Sequence, residues 1–109
     1  MFLYVALVQD RIWQSAPYAS VELTVLRRQT DPGGVEVLRK IHAGCTILMH
    51  TYPLANEWAY VPPCEWDESG VAYTNGALFF APKGVPHGPH VAKTEVISLT
   101  IFDGPLTVA

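Results

Sequence analysis

Four donor-bearing side chains stand in two separate stretches of this chain. The first stretch is Gly44-Cys-Thr-Ile-Leu-Met-His50-Thr-Tyr52-Pro-Leu-Ala-Asn-Glu57, and the second runs from Gly76 through Pro82 and Gly84 to His87. His50 and Tyr52 are two residues apart, so on a strand they face the same side. A turn containing Pro53 and Asn56 then returns the chain to Glu57. One side of that hairpin would present His50, Tyr52 and Glu57 together, with His87 arriving from its own turn. Two imidazoles and one carboxylate with open positions form a facial triad, which suits Fe(II) and also accepts Zn, Mn, Co or Ni. Such a centre activates water or holds a bidentate oxygen ligand.

The elements that must position these groups are short strands. Nine prolines and eight glycines are spread along the 109 residues and cut the chain into β-branched and aromatic runs. Strands are expected at 2–8, 21–28, 35–42, 45–52, 57–61, 70–74, 77–81 and 95–102. Turn signals separate them at Asp31-Pro-Gly-Gly34, Ala43-Gly44, Asp67-Glu-Ser-Gly70, Asn75-Gly76 and Asp103-Gly-Pro105. Asn75-Gly76 is a two-residue hairpin signal, because both positions tolerate positive φ. Pro62-Pro63 should end the fifth strand at an edge or a bulge, since proline cannot donate to a ladder. No segment carries a long helical period. The expected class is therefore all-β, a sandwich or a small barrel of about eight strands.

The run Gly76, Pro82, Gly84, His87 resembles the second sequence motif of the cupins: glycine, five residues, Pro-x-Gly, two residues, His. The first motif is similar to residues 44–64, with Gly44, His50 and Glu57 in register. There Tyr52 stands in place of a second histidine, and Cys64 in place of the closing glycine. The stretch Asp67 to Tyr73, with Gly76 and His87-Gly-Pro, looks most like the branch that holds the anti-sigma-factor cupin domain and the acetylacetone-cleaving dioxygenase. The length allows one domain over 1–109. The resemblance covers about residues 35 to 105 and implies a jelly-roll β-barrel (RmlC-like, a double-stranded β-helix). It also implies a metal inside the barrel, and commonly a homodimer. The family's ligand positions map to His50, Tyr52, Glu57 and His87. Tyr52 breaks that set, because a phenol with a pKa near ~10 is a poor ligand unless the metal lowers it. Three arrangements stay open. His50, Glu57 and His87 hold the metal with Tyr52 beside it as proton donor; or His90 fills the gap as a fourth ligand; or the barrel is a metal-free pocket.

Composition narrows the rest. The net charge is −3 with no basic run, which argues against nucleic acid and against an anionic membrane surface. Half of the residues are hydrophobic, so a core is affordable and disorder is not expected. No apolar run approaches the ~20 residues of a membrane helix, and the apolar N-terminus lacks a signal peptide's basic flank and cleavage site, so the expected location is cytoplasmic. Cys45 and Cys64 read as free thiols. His42 and His90 read as surface or turn histidines, and Arg27, Arg28, Arg39 and Lys40 as solvated strand ends. The opening segment, with Tyr18 and residues 21–26, reads as an edge that would pair with a second subunit.

The function expected from these readings is metal-dependent chemistry on a small oxygen-bearing molecule. Dioxygenase-like oxidative cleavage of a carbonyl compound comes first, with Fe(II) as the favoured divalent ion and Tyr52 as the proton donor. The alternatives are a non-catalytic small-ligand or sensor module, and a metal-assisted isomerase or hydrolase. Substrate identity lies in side chains from many strands and is not readable from spacing.

Overall fold

Residues 35–41 alternate between buried and half-buried along their whole length, as do 57–61 between buried and exposed. That period of two is what a strand needs to turn one face inward. The computed structural model describes residues 7–17, 20–30 and 33–109. After a 3-10 turn at Val8–Asp10 come ten strands: β1 (Gln14–Ser15), β2 (Val21–Arg28), β3 (Val35–Ile41), β4 (Thr46–Ile47), β5 (Glu57–Val61), β6 (Trp66–Glu68), β7 (Val71–Tyr73), β8 (Ala77–Ala81), β9 (His90–Ala92) and β10 (Val96–Phe102). They form two antiparallel sheets, a larger one in the order β1-β2-β3-β10-β5-β8 and a smaller one in the order β4-β9-β6-β7. No α-helix occurs among the described residues, and no helix there is long and apolar enough to cross a membrane.

Two apolar clusters fill the interior. One joins Val21, Ile41, Val61 and Val96 of the larger sheet to Ile47, Trp66 and Ala92 of the smaller. The other gathers Leu23, Val35, Val37 and Phe102 around Tyr52 and Ala55. Burying a side chain of this size contributes roughly 1.5–3 kcal/mol, so the sandwich rests mainly on these two clusters.

Several expectations from the sequence are met at residue level, among them β2, β5 and β8. Others are corrected. Of the expected strand 2–8, residues 2–6 lie outside the described residues, and Val8 opens the 3-10 turn instead. The expected strand 45–52 shrinks to β4; Leu48 and Met49 face outward at 75% and 61% exposure, and His50 makes a lone bridge to His87. Asn75-Gly76 is not a hairpin turn, because β7 and β8 belong to different sheets. Gly76 is needed there nonetheless: its φ is 83°, and a Cβ would come within 3.2 Å of Pro63 and the Val61 carbonyl. The tight hairpin instead joins β6 to β7, where Ser69 and Gly70 both take positive φ. β5 does end before Pro62-Pro63, but as an inner strand between β10 and β8 rather than at an edge. β2 pairs with β3 along its length and with the two-residue β1 at Glu22 and Leu23; Tyr18 lies outside the described residues. His90, read as a turn residue, is buried in β9, a strand that the sequence reading missed.

Candidate metal centre

Three loops and strands deliver three imidazoles to one point. The His50–His87 bridge is closed by both backbone bonds, His50 N–H to His87 O at 3.0 Å and His87 N–H to His50 O at 2.9 Å. The Gly84 N–H also donates to the Tyr52 carbonyl at 2.9 Å, so the turn before His87 is laced to the strand of His50. Asn56 adds a clamp: its side-chain oxygen accepts the Lys83 N–H at 2.7 Å, while its own N–H and amide donate to Asp103 at 2.8 Å each. These bonds hold the Asp103 carboxyl below its usual range, first through the Asn56 side chain. Behind His87, Gly88 takes a φ of 107° and lies against Met49, where a Cβ would meet the Met49 Cα at 3.2 Å. β9 then carries His90 inward between β4 and β6.

One ligand atom from each of His50, His87 and His90 lies within 4.8 Å of the other two. His50 and His90 are only 9% exposed, and the His87 side chain 17%. In each ring Nδ1 meets an acceptor: the Leu48 carbonyl for His50 at 2.8 Å, the Val85 carbonyl for His87 at 3.3 Å, and Glu68 Oε1 for His90 at 2.5 Å. Assigned from these acceptors, the proton of each neutral ring sits on Nδ1 and the lone pair on Nε2. Anchoring one ring nitrogen on a carbonyl or carboxylate to free the other is how metal-binding histidines are oriented. The Nε2 of His87 is buried with no hydrogen-bond partner, which is costly for a polar atom unless something else occupies its lone pair. Three imidazole donors suit Zn, Fe, Co or Ni. The residues present therefore fit a divalent cation, and this three-histidine group can hold one.

The other expected site residues surround the trio. Tyr52, 1% exposed, donates its O–H to His50 Nε2 at 3.0 Å and packs edge-on against Phe102. Glu57 is 4% exposed; its Oε2 lies 2.8 Å from the Arg39 guanidinium, and its Oε1 lies 3.4 Å from His87 Nε2 without hydrogen-bond alignment. Arg39 is thus a correction, a buried inward residue at 6% exposure rather than a solvated strand end. The signal was available, since Arg39 shares the inward parity of Val35, Val37 and Ile41. His42 is exposed and pairs with Glu22, as a surface histidine should.

Burial and charge set the protonation states. Burial pushes Glu57 up, but Arg39 and then His87 outweigh it and hold the carboxyl below its ordinary value. Burial lowers His50, assisted by the charges of His87 and His90 against the pull of the Leu48 carbonyl. Burial also acts downward on His87, but Glu57 more than offsets it and the pKa rises. Without a cation the cluster therefore keeps His50 neutral and favours a proton on His87. A cavity of about 170 Å³ opens on this point, lined by Glu68, Ser69, Phe79, Phe80, Ala81, His87 and His90.

No family model matches the sequence, and no curated protein matches it either. Solved structures do match in fold. An acetylacetone dioxygenase from Acinetobacter johnsonii superposes with a TM-score of 0.70 at 14% identity, over 94% of this chain and 74% of that one. An RmlC-like cupin from Shewanella frigidimarina gives 0.65 at 21% identity, over 89% and 86%. The anti-sigma factor ChrR of Rhodobacter sphaeroides, solved with SigE, gives 0.69 at 18% identity, over 88% of this chain and 51% of that one.

Proposed function

We propose that this chain of cupin fold holds one divalent cation on His50, His87 and His90 and acts on a small oxygen-bearing molecule, as a dioxygenase-like enzyme cleaving a carbonyl compound. The observation that carries the reading is the common anchoring of the three Nδ1 atoms in rings whose ligand atoms lie within 4.8 Å of one another. It leaves Nε2 of each ring for a cation, with that of His50 capped by the Tyr52 O–H until one binds. Fe(II) bound there would supply Lewis acidity and dioxygen activation, with Zn, Mn, Ni or Co able to replace it as a Lewis acid alone. His90 enters in place of the histidine that Tyr52 displaced. Glu57, engaged by Arg39, stands next to His87 and tunes it.

The chain's own residues supply the rest. Without a cation the Tyr52 O–H sits on His50 Nε2; when a cation takes that lone pair the O–H is released beside the centre, where it would serve as the phenolic proton donor. Glu68 fixes the plane of His90 and takes the Trp66 indole N–H at 3.3 Å, so its own position is held. Phe79, half-buried on the inward side of β8, gives the cavity an apolar wall. About 170 Å³ is well below the ~300–1,000 Å³ of pockets for drug-sized ligands, so the substrate class is a molecule of a few heavy atoms.

Metal content of the protein as purified, with His50→Ala, His87→Ala and His90→Ala variants, tests the centre. Oxygen uptake with a panel of small diketones and hydroxy-ketones tests the reaction. A protein that carries no metal and takes none up sinks the proposal. Turnover without oxygen uptake would move it to an isomerase or hydrolase. A second reading, a metal-free pocket that binds a small ligand without turnover, draws on the Tyr52 O–H already placed on His50 Nε2. A rise in melting temperature with ligand in a metal-stripped sample would favour it.

A further inference from the structure

The outer face of the larger sheet inverts the usual pattern of a strand facing water. On β10 the inward residues Ser98 and Thr100 are fully buried, while Leu99 and Ile101 point outward at 39% and 40% exposure. On β5 the inward residue Glu57 is charged and the outward residues are Trp58 and Tyr60, at 46% and 48%. β8 adds Leu78 at 65% and Phe80 at 47%. The registers align these six side chains in two cross-strand rows: Ile101 beside Trp58 beside Phe80, and Leu99 beside Tyr60 beside Leu78. The Trp58 and Phe80 rings lie 4.4 Å apart, so cross-strand neighbours within the first row are in contact.

Taking ~200 Å² for a large side chain, these exposures leave on the order of 600 Å² of contiguous apolar surface. That is the upper limit of what a soluble monomer ordinarily shows. It approaches the ~800 Å² per partner of a standard interface before any rim is counted. The six positions carry no charge. The first charge along the row is Glu36, which pairs with Ile101 across β3 and is bound to Arg27 at 3.1 Å.

We infer that this face is an isologous interface, and that its occupant is a second copy of this chain. A two-fold axis brings residues near it against their own copies, so a charge at the centre would oppose itself. An uncharged array with charges only at the margin meets that condition. The two larger sheets would then pack face to face about 10 Å apart, with Trp58 and Tyr60 of the middle strand at the centre. The homodimer expected from the opening segment is thereby placed on a different surface. The inference does not depend on the metal centre.

Sedimentation of the full-length protein from about 100 µM to about 0.1 µM tests it. The wild type is expected at twice 12.0 kDa at the upper end. The double variant Tyr60→Lys with Leu78→Lys is expected at 12.0 kDa with unchanged far-UV dichroism, because both side chains point outward. Val71→Lys, on an exposed site of β7, should leave the dimer intact. A wild type that stays at 12.0 kDa throughout overturns the inference, whether the face is bare or taken by another protein. So does a folded double variant that still dimerises. Should the double variant fail to fold, wild-type fluorescence decides: dilution should shift emission to the red, and Trp58→Phe should abolish that shift. An emission maximum that does not move with dilution overturns it as well.

Discussion

Glu57 on β5 and Glu68 on β6 are both largely buried beside the same imidazole cluster, at 6% and 15% side-chain exposure. Glu57 approaches from the larger sheet and is gripped by Arg39, an inward residue of the same sheet. Glu68 approaches from the smaller sheet, directly opposite His90 in the β6–β9 register, and meets only rings and a hydroxyl: the His90 Nδ1, the Trp66 indole and Ser69. A carboxylate beside a guanidinium has its charge compensated and has little left to give a cation. One that accepts an imidazole N–H passes its negative character through the ring to Nε2 and raises the donor strength there. The partner, more than the distance to the centre, decides which carboxylate serves the site.

Breaking the first pair should have the largest effect. Arg39→Leu leaves a buried carboxylate without its cation and is expected to cost about 3–5 kcal/mol, read by urea unfolding. Arg39→Leu combined with Glu57→Leu should recover most of that, because both charges are then gone; a double variant as unstable as the single one would show that the pair is not the cause. Breaking the second pair acts on binding instead. Glu68→Gln should weaken metal affinity by about 10–100-fold with little change in stability, and His90→Ala by at least as much. Titration with Zn(II) or Fe(II) reads both. Equal affinities in Glu68→Gln and wild type would remove the role given to Glu68.

The protonation states offer a smaller but sharper contrast. Glu57 sits below its ordinary value of 4.5, so its contribution is present above that pH and is lost as pH falls through the depressed value. His87 sits above its ordinary 6.5, so its contribution is present below pH 6.5 and is lost as pH rises through the raised value. Metal-free Glu57→Gln should lose both slopes, giving flatter stability at the acid end and above pH 6.5. The same variant should move metal uptake to lower pH, since a cation must displace the His87 proton. Smallest of all, Tyr52→Phe removes one hydrogen bond to His50 and should cost about 1 kcal/mol. If Tyr52 guards His50 Nε2, that variant should also bind metal more tightly than wild type.

What the chain reveals unaided follows from local periodicity. β2, β5 and β8 are legible because alternation or a β-branched run is bounded by glycine and proline on both sides. His87 is legible because its turn residues are local. β6 and β9 are three residues each, too short for a period to register, and their pairing across the smaller sheet is set by partners up to 45 residues away, Thr46 opposite Val91. His90 and Glu68 therefore read as turn residues, although together they form one of the site's two carboxylate contacts. Arg39 is the opposite case: the parity of β3 places it inside, and the general rule that arginine seeks water hides it.

Asn56 carries a consequence for motion. By bonding Lys83 and Asp103 at once, it pins the loop before β5 to the turn ahead of His87 and to the end of β10. With the His50–His87 bridge and the Gly84 N–H on Tyr52, the pocket's walls are sewn together along one seam. The two halves of the pocket would then open together or stay closed together. Amide exchange at Gly84 and His87 should report a single shared event with that at His50, and Asn56→Ala should speed all three alike.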